Sequence, residues 1–209
     1  MNMTKHILNR LKSDPFISTT YARLIGNKKT KKRMQRQREE IQNNSAKYLN
    51  LVESIMSTSG ALYHACFGTL LGIVRDNKLI KWDVDIDYAV VISDDFSWND
   101  LEKAISKSGF KKIREFVFEG IVTEQTYQVD KITIDFFGEF YDGNNMIQYT
   151  YNKLTGVKYS SYLDYSVFRL TLPRVDKIKQ INIDGVNVSV PCNSEEILAS
   201  VYKDRKSVV

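Results

Sequence analysis

A chain of 209 residues with 43% hydrophobic and 11% aromatic residues has enough apolar material for one globular domain and too little for two full ones. Its cysteines, Cys66 and Cys192, lie far apart and match no CxxC or zinc-ligand spacing, which argues against a disulfide framework or a thiolate metal site. The formal charge of +5 and pI near 9.0 permit an anionic partner, and with no run of eighteen apolar residues and no signal-like core in MNMTKHILNRLKSDP, the cytoplasm is the expected location.

Much of the basic excess is local: Lys28, Lys29, Lys31, Lys32, Arg33, Arg36 and Arg38 crowd one short stretch. Residues 1–45 therefore read as a basic, partly helical N-terminal arm, and 46–209 as the folded domain. The arm is either a solvated helical face or a peripheral contact with anionic lipid at the inner face of the plasma membrane, where each basic residue contributes about 1 kcal/mol. Nucleic acid is not the expected partner, because no aromatic platform is interleaved with the charges.

Tyr48, Leu51, Val52 and Ile55 fall at i, i+3, i+4 and i+7, the stripe of a helix packed on a core and ending near Ser59-Gly60. Leu62 to Phe67 reads as a short strand, and Gly68-Thr69 as the turn into a helix carrying Leu70, Leu71, Ile73 and Val74. Ser97 with Asp100 fits a capping box for a helix with Leu101 and Ile105 on one face, stopped at Gly109. Ile121–Tyr127 and Lys131–Phe137 alternate as strands around a connection at Val129-Asp130. Asp184-Gly185 marks a second hairpin, between Ile181–Ile183 and Val186–Val190. Ser194 is placed to cap a last helix with Glu195 and Glu196 in its first turn and Ile197, Leu198, Val201 and Tyr202 facing inward. Helices around a strand-rich centre indicate an α/β or α+β domain: a mixed sheet flanked by helices, with an extra C-terminal β-hairpin and helix.

The most informative run is WDVDIDYAVVI. In a strand, Asp83, Asp85 and Asp87 share one face, about 7 Å apart between neighbours, and their repulsion and desolvation call for a divalent cation. An EF-hand also begins DxDxD, but it needs a glycine where this chain has Tyr88 and helices where it has Val90-Val91-Ile92. The alternative is an amphipathic edge strand with a polar outer face. In FGTLLGIVRDN, Gly68 permits close backbone approach, the following amides are suited to phosphate, and Arg75 offers a fixed positive fork. Trp82 is expected to pack beneath the acidic strand, with ligand stacking as the alternative, and His64 is expected to be structural.

FGTLLGIVRDNKLIKWDVDIDYAV resembles the LicD family of phosphocholine and polyol-phosphate transferases, related to fukutin and fukutin-related protein, with its GTLLG, its arginine and its WD-D-ID acidic strand in order. VSVPCNSEEILASVYKD is similar to the family's C-terminal motif, so the resemblance spans roughly Tyr48 to Asp204. Val84, Asp76 and Lys81 depart from the aspartate, histidine and proline frequent in the family. The resemblance implies a nucleotidyltransferase fold in which Gly68, Thr69, Asp85 and Asp87 hold nucleotide phosphates through Mg2+, or Mn2+ in its place. Asp135 in KITIDFFGEF is the candidate third carboxylate, as metal ligand or general base, because Ile132, Ile134 and Phe136 take the opposite strand face; a solvent-facing strand aspartate is the alternative. The expected metal ligands are Asp85 and Asp87, the catalytic residues these two with Asp135, and the substrate-binding residues Gly68, Thr69, Arg75 and Asp83. The implied activity moves a phosphoalcohol group from a CDP-linked donor to a hydroxyl of a cell-surface glycan or its lipid-linked precursor. Nucleotidyl transfer to a small molecule, protein or RNA and a non-catalytic membrane or glycan-assembly module stand as alternatives.

Overall fold

The computed structural model describes residues 15–153 and 165–202. Helix α1 (Pro15–Met56) is broken once, at Asn44, where φ −133° and ψ 24° leave the helical region and the side chain turns back to donate to Glu40 Oε1 at 2.8 Å. The basic segment continues into this helix, and Ile41, Tyr48, Leu49, Val52 and Met56 are all buried in the main core.

β1 (Tyr63–Ala65), α2 (Phe67–Asp76), β2 (Asp85–Val91), α3 (Trp98–Lys107), β3 (Lys111–Phe118), β4 (Ile121–Val129), β5 (Ile132–Asp142), β6 (Asn145–Lys153) and β7 (Tyr165–Pro173) follow in chain order. Among the described residues, seven strands form one mixed sheet in the order β1-β2-β5-β4-β3, with β6 paired to the far end of β5 and β7 to β6. Among the described strands only the β2–β5 pair is parallel. The chain closes with the hairpin β8 (Ile178–Ile183) and β9 (Val186–Pro191) and helix α4 (Ser194–Val201). This is the mixed sheet with flanking helices and a C-terminal hairpin and helix expected from the sequence.

Period-two alternation decides which face is core. Ile86, Tyr88 and Val90 of β2 and Ile132, Ile134 and Phe136 of β5 enter the main cluster with α1 and α3, so their neighbours at odd positions of β2 and β5 must project to the other face. Truncating one of these fully buried side chains to alanine costs roughly 2–5 kcal/mol. A buried carboxylate pins the layers together. Glu53 of α1 accepts hydrogen bonds from Tyr63 Oη (2.7 Å), Tyr88 Oη (3.0 Å), Ser189 N (2.9 Å) and Ser189 Oγ (2.8 Å), joining β1, β2 and β9 to the helix.

Local expectations shift in three places. The tight connection between β4 and β5 is Asp130-Lys131, with Asp130 at φ +49°. Asn193, not Ser194, occupies the N-cap of α4; no side-chain cap is formed, Ser194 is buried, and Asn193 Nδ2 donates to the Arg174 carbonyl at 3.0 Å. Strand β2 begins at Asp85, so Asp83 precedes it. Ser97 does cap α3, accepting from Asp100 N at 3.3 Å, and Asp184 (φ +51°) and Gly185 (φ +87°) make the left-handed turn that a two-residue hairpin requires.

Candidate active site

Asp87 and Asp135 are direct partners in the parallel β2–β5 ladder, and Asp85 lies two residues before Asp87 on the same face. Ligand oxygens from Asp85, Asp87 and Asp135 lie within 4.8 Å of one another. Two aspartates of the DxDxD run thus converge with the aspartate singled out in β5. Asp83 does not join that face: its carboxylate leans on the start of α2, where a Cβ added to Gly68 would come within 2.5 Å of Asp83 Oδ2.

Packing these carboxylates together raises their proton affinity. Burial, followed by the charges of Asp135 and Asp83, pushes Asp85 up to about 7 against the opposing field of Arg114. Asp87 is held well above the usual carboxylate range by burial and then by Asp85, Asp135 and Asp83. Asp135 is raised by burial, against a hydrogen bond from Thr126 and the charge of Arg114. Glu124 of β4, pushed to about 7 by burial and by Asp135, extends the cluster. Arg114 Nη2 of β3 reaches Glu124 Oε1 at 2.9 Å and Asp135 Oδ1 at 3.3 Å. One guanidinium against this group of carboxylates leaves an excess of negative charge. An all-oxygen donor set suits a hard divalent cation such as Mg2+ or Mn2+, and the residues present fit one.

The turn into α2 is built around the same cluster. Thr69 is buried and its Oγ1 accepts from the Asp87 amide at 2.9 Å, which ties the helix to the acidic strand. Cys66 at the N-cap supplies no side-chain cap to the first amides of the helix. Phe67 adopts φ +44°, a costly conformation for an aromatic residue, and its ring packs edge-on against Phe137 at 5.0 Å. Gly72 serves a different purpose: a Cβ there would meet Lys78 O at 2.5 Å and Ile80 N at 2.9 Å, so the second glycine of GTLLG lets the chain return closely towards Asp83.

Arg75 is not brought to the carboxylates. It sits at the far end of α2, seven residues from Gly68 or about 10 Å along the axis, and grips Asp76 through Nε at 3.1 Å and Nη2 at 2.8 Å. Trp82, expected to be packed, is 44% exposed, because the segment before β2 runs over the surface with its carbonyl held by Arg38 Nε at 2.8 Å. His64 is structural: fully buried, it contacts Glu139 Oε2 at 3.0 Å and the Ala65 carbonyl at 2.9 Å. Glu124, Arg114 and Tyr202, whose hydroxyl is pushed to about 12 by burial and then by Asp87, escaped the sequence reading. Thr126 pairs with Asp135 in register, which puts Glu124, two residues earlier, on the same face, and that pairing is visible only in the folded sheet.

Residues 60–193, more than half of the chain, match the protein-family profile described as LicD/FKTN/FKRP, nucleotidyltransferase domain. The matched span contains Gly68, Thr69, Asp83, Asp85, Asp87, Glu124 and Asp135 and leaves the basic half of α1 outside; the Lys203-Asp204 end of the C-terminal motif lies outside the described residues. No curated protein is significantly similar to the chain. A mixed sheet carrying paired aspartates beside a glycine turn, together with this match, shows that the chain belongs to the LicD family.

Proposed function

We propose that the protein is a metal-dependent transferase that moves a phosphoalcohol group, such as phosphocholine or a polyol phosphate, from a CDP-linked donor to a hydroxyl of a cell-surface glycan or its lipid-linked precursor. Members of the family are generally transferases that modify glycans. The observation that carries the reading is the convergence of Asp85, Asp87 and Asp135 beside the uncapped start of α2.

Asp85 and Asp87 would hold Mg2+, with Asp135 as a third ligand or as the base. The ion supplies neutralisation of the donor's diphosphate charge. The amides at Gly68 and Thr69 orient the phosphates, and Gly68, with no Cβ, leaves room for the Asp83 carboxylate against the turn. Asp83, against that turn, fixes its position. An Asp135 not used as a ligand accepts the acceptor hydroxyl's proton; the acceptor oxygen bonds to the phosphorus of the phosphoalcohol, and the bond to CMP breaks. Arg114, at 3.3 Å from Asp135, opposes the burial that raises that carboxyl's proton affinity.

Product analysis with magnesium and a panel of CDP-linked compounds tests this directly. CMP release that disappears in Asp87→Asn supports phosphoalcohol transfer. Pyrophosphate release from a nucleoside triphosphate assigns the same carboxylates to nucleotidyl transfer, and wild-type biological activity in an Asp85→Asn, Asp87→Asn variant excludes catalysis at this site. No described helix is long and apolar enough to cross a membrane.

A further inference from the structure

Lys29, Lys32, Arg33 and Arg36 stand at i, i+3, i+4 and i+7 of α1, which places four cations on one helical stripe. In the folded chain that stripe lines an open groove of about 480 Å3 against the strands. Lys131 also lines it, already paired with Glu40 Oε2 at 2.8 Å, and the only carboxylate in the lining, Asp130, is engaged by Lys47 at 2.6 Å and by Tyr48 Oη at 3.0 Å. None of the four stripe cations forms an ion pair with another described residue. Like charges at this spacing repel, so the stripe carries an electrostatic cost that an anion would relieve.

The opposite wall leads to the candidate active site. Thr133 lines the groove, is the register partner of Asp85, and lies two residues before Asp135 on the same face of β5, about 7 Å away. Gln128, paired with Thr133 across the β4–β5 ladder, lines it too. In the sheet order β1-β2-β5-β4-β3, the groove opens on the β4 side of the carboxylates, whereas the start of α2 adjoins β2 next to β1. The carboxylates are therefore flanked by two anion-favouring features. The α1 stripe lies outside the residues of the family match.

We infer that the groove between α1 and the β4–β5 edge is a subsite for a phosphate-bearing acceptor, seating an anionic phosphate of the acceptor chain while its hydroxyl reaches the carboxylates. The acceptor assignment rests on the transfer reading above; the phosphate site itself does not. The occupant is a phosphate of a bound substrate, in contrast to a flat membrane surface, because the cations line a concavity shared with the strands.

The test uses the full chain and tripolyphosphate as probe, titrated calorimetrically in chelator so that no divalent metal contributes. Lys32→Gln combined with Arg36→Gln removes two groove charges. Lys28→Gln combined with Lys31→Gln removes two charges from the same helix that do not line the groove. The groove variant is expected to bind about tenfold more weakly and the control less than about twofold. Equal weakening in both variants overturns the subsite, since it means diffuse attraction to a basic helix. Binding of the parent to phosphatidylserine vesicles without binding to tripolyphosphate overturns it in favour of a membrane surface. Asp85→Asn with Asp87→Asn should retain tripolyphosphate binding, so a failed metal site and a failed groove give different results.

Discussion

Asp87 and Asp135 face one another across the parallel β2–β5 pair, and with Asp85 their oxygens lie within 4.8 Å. Two neighbouring strands thus each deliver a carboxylate to one point, which neither strand achieves alone. The folded protein must hold negative charge there in a partly dehydrated setting.

The two glycines of GTLLG should fail in different ways. Gly72→Ala drives a Cβ into the backbone at Lys78 and Ile80, so unfolding should show a loss of about 1–3 kcal/mol. Gly68→Ala meets the Asp83 carboxylate, which has some freedom to swing aside; turnover should fall at least tenfold while stability changes by less than about 1 kcal/mol. Denaturant unfolding and product release on the same preparations check both, and the reverse pattern would remove Asp83 from the site.

His64 and Glu139 form a buried pair at 3.0 Å, with both side chains 1% exposed. Removing one partner strands the other, so His64→Ala should cost on the order of 3–5 kcal/mol by urea unfolding. Joint replacement by apolar residues of similar volume should cost far less. A mild effect of His64→Ala would contradict a structural pair.

Much of this centre is legible in the sequence, and the rest is not, for identifiable physical reasons. Gly68, Thr69, Asp85 and Asp87 are adjacent in the chain, and period-two alternation fixes their shared face; Asp135 emerged from the same alternation in KITIDFFGEF. Alternation in the sequence continues through Asp83, although pairing with β5 begins at Asp85. Glu124 and Arg114 depend on the register of β3, β4 and β5, and strand register is set by long-range pairing that no local pattern encodes. Trp82 looked like a core residue by its chemistry; its exposure follows from the Arg38 contact, 44 residues away in the chain. Arg75 shared a motif with Gly68 but is carried to the opposite end of the helix.

Stability of the chelated protein should fall with rising pH. Asp85 and Glu124 are pushed from about 4 in an unfolded chain to about 7 in the folded one, so the native state binds more protons between those values. This contribution is fully present below about pH 4 and lost as pH rises through about 7, a decline on the order of a few kcal/mol. Magnesium should flatten the decline by replacing protons with a cation. Melting curves from pH 5 to pH 8 in chelator and in magnesium give the comparison; a flat curve in chelator would mean that the carboxylates take up no protons on folding, and parallel declining curves that they do not bind the ion.

The most direct test of the metal centre is thermal unfolding of the parent and of an Asp85→Asn, Asp87→Asn variant, each in chelator and in magnesium. Magnesium at a hundredfold excess over its Kd should stabilise the parent by about 2.7 kcal/mol and raise Tm by several degrees. The variant should be at least as stable as the parent in chelator, because two crowded charges are gone, and should not respond to magnesium. An equal magnesium response in the two proteins, or a variant clearly less stable than the parent in chelator, would contradict the site.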